Sequence, residues 1–300
     1  MSANPPSSPA GQGAERHLPG HIAAALQRAG GAVDSAGQSW EGRDLSGEGN
    51  PLHNFDNDNG LIDPKLEAAL AALAAGTGSE QQVHAALAEA RVYIAVVAQL
   101  AEGGLGEHGF TEDKEADMAL VTLTAPDGRK ALPVFSSVDN LQAWHAEARP
   151  VAVFAPRAAL SAVSEEAQML VLDPGTDFTF VLRRPGMWSL AQQRAWTPSY
   201  LNEELAAAIE EQVASEDALA GIHMAPGQGV GTRTAAGTAV PGGGSGPELR
   251  LEFLFRPGTD ETAARDCVTR VHTRLAASRH FAENVDSLEV ALRAAPGTGA

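Results

Sequence analysis

The stretch Ala125-Pro126-Asp127-Gly128 does most to constrain how this chain folds, because Pro fixes one φ angle and Gly admits a positive one. The backbone must reverse there. Met118–Thr124 on one side and Lys130–Phe135 on the other are apolar and β-rich, so together they predict a β-hairpin. Helical spacing follows at once: Val138, Leu141 and Trp144 share one face, and Ser136 with Asp139 has the spacing of a capping box. A sheet with a helix laid against it is the unit this predicts.

The same alternation runs outward in both directions. Upstream, Asp63-Pro64 supplies an N-cap and a first-turn proline for a helix over about Pro64–Ala75, and a second helix over Gln82–Ala90 leads into a strand at Arg91–Val97. Downstream, strands are expected at Val151–Phe154, Met169–Leu172 and Phe178–Leu182, with helices at Arg157–Glu165 and Pro185–Gln193. Trp196-Thr197-Pro198-Ser199-Tyr200 punctuates the chain, and the domain boundary is placed there. Beyond it come a helix at Asn202–Ser215, strands at Ile222–Met224 and Leu249–Phe255, a helix at Glu261–Ala277 and a strand at Val285–Leu292. The expected class is α+β: a mixed-sheet N-terminal domain over 63–198 and a smaller, ferredoxin-like α+β domain over 199–294. Residues 1–62 read as a largely disordered arm and leader with a short helix at His21–Ala29, and 228–245 as a disordered Gly-rich insertion.

Composition removes several function classes. Lys+Arg of 21 against Asp+Glu of 38 gives a formal charge of −17, which repels nucleic acid and anionic membrane. No apolar stretch approaches the ~20 residues a membrane span needs, and no secretory leader is visible, so a cytoplasmic location is expected. The single cysteine, Cys267, rules out an internal disulfide and any zinc site that needs two thiolates of this chain.

From Ala90 to about Tyr200 the order of landmarks resembles the N-terminal domain of the SseB family (enhanced serine sensitivity protein B). The residues that carry it are Leu132-Pro133-Val134-Phe135-Ser136-Ser137 with Leu141 and Trp144, then Val171-Leu172-Asp173-Pro174-Gly175, and Phe180-Val181-Leu182 with Leu190. Trp40-Glu41-Gly42-Arg43 and the acidic 56–63 stretch look like the leader of longer, actinobacterial members, and the last hundred residues look like their second domain. Relatives frequently carry Asn where this chain has Asp173. The resemblance implies a fold and no reaction, since the family takes its name from a phenotype.

No catalytic set emerges. Asp56–Asp63 has alternating oxygens, but Gly60 falls one position early for a calcium loop, and a solvated acidic turn is the simpler reading. The nine histidines lack metal-ligand spacing; His145, beside Trp144, reads as a boundary residue. Cys267 shares a helix face with Ala264, Val268, Val271 and Leu275 and reads as core. Gly244-Ser245-Gly246 and Gly227-Gln228-Gly229-Val230-Gly231 lack the strand–turn–helix context of a nucleophile elbow or a dinucleotide loop. One place stands out: Phe135-Ser136-Ser137, where a strand gives way to a helix, together with the Asp173-Pro174-Gly175 turn. Ser136 either caps the helix or, with Ser137, offers donors to a small anion.

These observations lead to a non-catalytic binding or regulatory protein with no cofactor or metal, whose partner is a soluble protein or a small anionic ligand. A sensor or enzyme acting on an amino acid or related anion through Ser136 and Ser137, and a structural scaffold for soluble proteins, are the competing classes. Homodimerisation is one role open to the second domain.

Overall fold

The first helix of the computed structural model, α1 (Pro64–Ala74), starts where Asp63 accepts from the N–H groups of Lys65 and Leu66 at 2.8 and 3.2 Å. Ser79 caps α2 (Glu80–Glu89) in a full capping box with Gln82, which satisfies donors a helix start leaves free. The structure describes residues 55, 58–100, 116–125 and 127–296. The arm, the helix expected at 21–29 and the leader around Trp40 lie outside the described residues.

The chain next enters β1 (Arg91–Leu100), the strand around which the main sheet is built. One edge of β1 pairs antiparallel with β5 (Arg149–Phe154). The other edge pairs with the end of β4 (Lys130–Phe135) at Tyr93-Ile94 and then with β2 (Ala116–Leu120). β4 continues the sheet through parallel pairing with β6 (Met169–Leu172), which pairs antiparallel with β7 (Phe180–Arg183). The expected hairpin is present in shortened form. Only β3 (Leu123–Thr124) pairs with Ala131 and Lys130, while the first half of the expected arm, β2, crosses to β1. The reason is backbone satisfaction: β4 reaches only Tyr93 and Ile94, and without β2 the groups of Val96–Leu100 on that edge would go unpaired.

Successive residues of β1 point to opposite faces, and both faces are covered. Val92 and Ile94 join the larger core with Leu66, Leu73, Val83 and Leu87 of α1 and α2, and with α4 (Ala155–Ser164) and α5 (Arg184–Ala191). Tyr93 and Ala95 face the other way, into a smaller cluster with Phe135 and Leu141 under α3 (Val138–Trp144).

After a 3-10 turn at Ser199–Leu201 come α6 (Glu203–Val213), β8 (Leu219–Pro226), β9 (Thr232–Arg233), β10 (Ala239–Val240), β11 (Leu249–Phe255), α7 (Glu261–Ala277), α8 (Arg279–Asn284) and β12 (Leu288–Ala294). β11 pairs antiparallel with β8 and, across the α7 crossover, parallel with β12. Leu249, Leu251, Phe253 and Phe255 alternate inward onto Leu205, Ile209, Cys267, Val271 and Leu275. The short α8, capped by Ser278, ends at Asn284, and β12 begins at Leu288, three residues later than the strand expected from sequence. Mixed parallel and antiparallel pairing with eight α-helices among the described residues makes this an α+β protein.

The Gly-rich segment 228–245 differs from the expectation of disorder. β9 and β10 form a two-stranded ribbon, Val240 is buried in the larger core, and Gly243 O accepts from Val181 N at 2.8 Å beside β7. Its glycines serve close backbone approach. A β-carbon on Gly229 would overlap the Gly246 carbonyl, and Gly243, at φ +72°, lies against the Phe180 ring.

Candidate functional site

Parallel pairing of β4 with β6 aligns Val134 with Leu172, so the segments that leave these strands emerge side by side. Asp173 N donates to Val134 O at 2.9 Å and carries the chain into a turn with φ +51° at Asp173 and +83° at Gly175. The six residues singled out from sequence are therefore brought to one rim, but mostly below its surface. Phe135 and Ser136 are fully buried, Pro174 and Asp173 are buried, Ser137 is half-buried, and Gly175 is exposed beside Trp144.

The Ser136 donors are taken by the chain itself. Ser136 N donates to Asp173 Oδ1 at 2.8 Å and Ser136 Oγ to Asp173 Oδ2 at 2.7 Å, and Asn140 Nδ2 donates to Ser136 Oγ at 3.2 Å. Burial pushes the Asp173 carboxyl above the ordinary carboxylate range, against the lowering effect of the Ser136 donors. The helix cap is Ser137, whose Oγ accepts from Asn140 N at 3.1 Å; this corrects the assignment of the cap to Ser136 by one residue. The neighbouring acidic turn is likewise paired. Asp58 accepts from Arg91 Nη2 at 2.8 Å and from Tyr93 Oη at 2.6 Å, while Arg91 Nη1 donates to Ser136 O at 3.0 Å. Burial first, and then the Asp58 hydrogen bond, push the Tyr93 hydroxyl up to about 12. Asp58, Arg91 and Tyr93 were not singled out from sequence, because a pair 33 residues apart leaves no local signal.

A second polar cluster lies where the Gly-rich segment passes between the two sheets. Glu80 accepts from Gly243 N and Tyr200 Oη, each at 2.9 Å, with Arg183 Nη1 3.6 Å away. Arg183, only 1% exposed, also donates to Gly229 O at 2.8 Å. Glu248, fully buried, accepts from Ser199 N and Asp286 N at 3.2 and 3.1 Å, and burial raises its pKa. Arg129 donates to both oxygens of Asp286 at 3.0 and 2.8 Å and to Ser245 O at 3.2 Å. Every one of these charges meets a partner, so the cluster reads as a joint.

Two further groups have little reactivity. Cys267 is fully buried, and burial together with Glu216 pushes its thiol up to about 11. Hydrogen bonds from Arg270 and Arg274, each at 2.7 Å, hold Glu216 down at about 2 despite its desolvation. His84 is buried with Nε2 3.2 Å from Gly186 O, and burial lowers its pKa. Among the described residues no three of His, Cys, Asp and Glu are grouped to hold a metal ion, and no helix is long and apolar enough to cross a membrane.

Among the described residues, exposed apolar side chains gather on the α4–α5 face. Leu160 and Val163 of α4 and Trp188 of α5 are 53%, 43% and 40% exposed. Val163 and Trp188 line a depression of about 280 Å³ with Glu166, Ala167, Gln168 and Arg184, and the Arg184 guanidinium sits 5.9 Å from the Trp188 ring.

The fold and this rim define an α+β protein with a mixed sheet whose strand-end turn is held by a buried Ser–Asp contact. Residues 66–189, from α1 into α5, match the SseB protein N-terminal domain. The residues after Ser189 lie outside that match. No curated protein matches the chain.

Proposed function

We propose that the protein is a non-catalytic binding protein of the cytoplasm, which docks a soluble protein partner on the α4–α5 face. The observation that carries this reading is the exposure of Leu160, Val163 and Trp188 together on adjoining helices. Burying such an area is worth ~25 cal/mol per Å², and contiguous apolar surface of this kind marks contact sites. Arg157, one turn before Leu160 and exposed, suits a partner that sets a carboxylate beside its apolar contact, whereas Arg184 already donates to Ala282 O and Val285 O. Both Ser136 donors already meet Asp173, so the competing small-anion reading rests on Ser137 alone.

Affinity purification of the full chain from its native cells, beside Leu160→Ser and Trp188→Ser variants, tests this. A defined protein should co-purify with the parent chain and be lost from both variants, whose thermal midpoints should stay close to the parent's. If every co-purifying protein is retained by both variants, the α4–α5 face is not the docking site.

A further inference from the structure

β12 is the outer strand of the second sheet. Among the described residues it pairs only with β11, in parallel register from Leu249↔Leu288 to Phe255↔Ala294, so its far edge has no ladder partner there. The register also assigns the faces. Leu251 and Phe253 point into the core and are buried, and their partners Val290 and Leu292 stand on the same side. Yet Val290 and Leu292 are 40% and 50% exposed, while Leu288 at the start of the strand packs against the core. Folded monomers usually blunt such an edge with Lys, Pro or a bulge, and the run Leu-Glu-Val-Ala-Leu-Arg-Ala contains neither residue and pairs without a register shift.

The strand is complementary to itself. When two copies run antiparallel with Ala291 opposite Ala291, Val290 meets Leu292 on the apolar face and Glu289 meets Arg293 on the other, and each pair occurs twice. Opposite charges directly across a strand pair stabilise it and like charges destabilise it. A chain of net charge −17 repels its copies over most of its surface, so this local balance of sign selects where two copies can meet.

We infer that β12 pairs antiparallel with β12 of a second copy about a two-fold axis at Ala291, joining the three-stranded sheets into one of six strands. The interface is isologous, with each strand presenting the same side chains to the other. Within one chain Glu289 accepts from Gln228 N at 2.9 Å, and Arg293, 59% exposed, donates to Glu252 at 3.1 Å. These are contacts at the protein surface, where exchange or sharing of partners has a low cost. The inference is independent of the α4–α5 docking face.

Sedimentation of the full chain across the micromolar range should show a dimer. Glu289→Arg alone and Arg293→Glu alone each set two like-charged pairs across the interface, so each should weaken dimerisation by about ten-fold or more. The double variant restores opposite charges and should return dimerisation to near the parent value. An equimolar mixture of the two single variants should form a heterodimer, since one carries two cations on that face and the other two anions. Thermal midpoints establish that each variant is folded. A parent chain that stays monomeric, single variants that dimerise like the parent, or a folded double variant that fails to recover would each overturn the inference.

Discussion

Asp173 takes the place beside Ser136 that an external anion would occupy. The carboxylate receives the Ser136 N–H and hydroxyl at the end of β4, in a rim otherwise closed by Phe135 and Pro174. The two adjacent serines therefore have different duties, and their substitution should separate them. Ser136→Ala leaves a buried carboxylate short of a donor and should cost about 1–3 kcal/mol, whereas Ser137→Ala removes an exposed-side cap worth ~1 kcal/mol. Urea unfolding of both variants measures this, and a larger loss at Ser137 would contradict the assignment. Sequence alone placed these serines and the Asp173 turn on one rim through the parallel order of β4 and β6, which proves correct. It missed the contact between them. Capping preference does not distinguish neighbouring serines, and an Asp 37 residues away gives no periodic signal.

At the scale of elements, the segments with strong periodicity or cap chemistry were legible. α1 behind Asp63-Pro64, β6 and β11 fall where the pattern puts them, and α7 carries Cys267 inward as its helix face requires. The Gly-rich segment was not legible, because flexible linkers and closely packed backbone share one composition. Its glycines meet Phe180, Glu80 and the Gly246 backbone, so the segment acts as a packed strap. Gly243→Ala, at φ +72° and in contact with Phe180, should therefore destabilise by at least ~1 kcal/mol, and deletion of 228–245 should cost several times that. Loop-closure entropy alone allows only ~0.6 kcal/mol per doubling of length. Thermal unfolding decides the matter: a deletion variant that melts with the parent would show the strap to be dispensable.

For the molecule as a whole, the described residues from Asp58 onward cluster as one unit that carries two larger sheets, each with its own core. The joint explains how both hold. Arg129 pairs with Asp286 across it, and the buried Glu80–Arg183 pair of the first sheet reaches across through Gly243, Tyr200 and Gly229; removing one partner of such a buried pair costs ~3–5 kcal/mol. Calorimetry of the full chain should accordingly give one cooperative transition, and Arg183→Met should lower that transition as a whole. Two resolved transitions in the parent chain would show that the sheets unfold independently.

The reach of that joint has a consequence for how the chain is made. Glu80 waits for Gly243, 163 residues further along, and ribosomes add ~5–20 residues per second, so the wait lasts roughly 10–30 s. Through that interval α1 and α2 can collapse onto β1, but the first residue of α2 still holds a carboxylate whose N–H partner has not been synthesised. The joint at the start of α2 can therefore be completed only after the Gly-rich strap has been made, so the link between the two sheets is among the last contacts available to the growing chain.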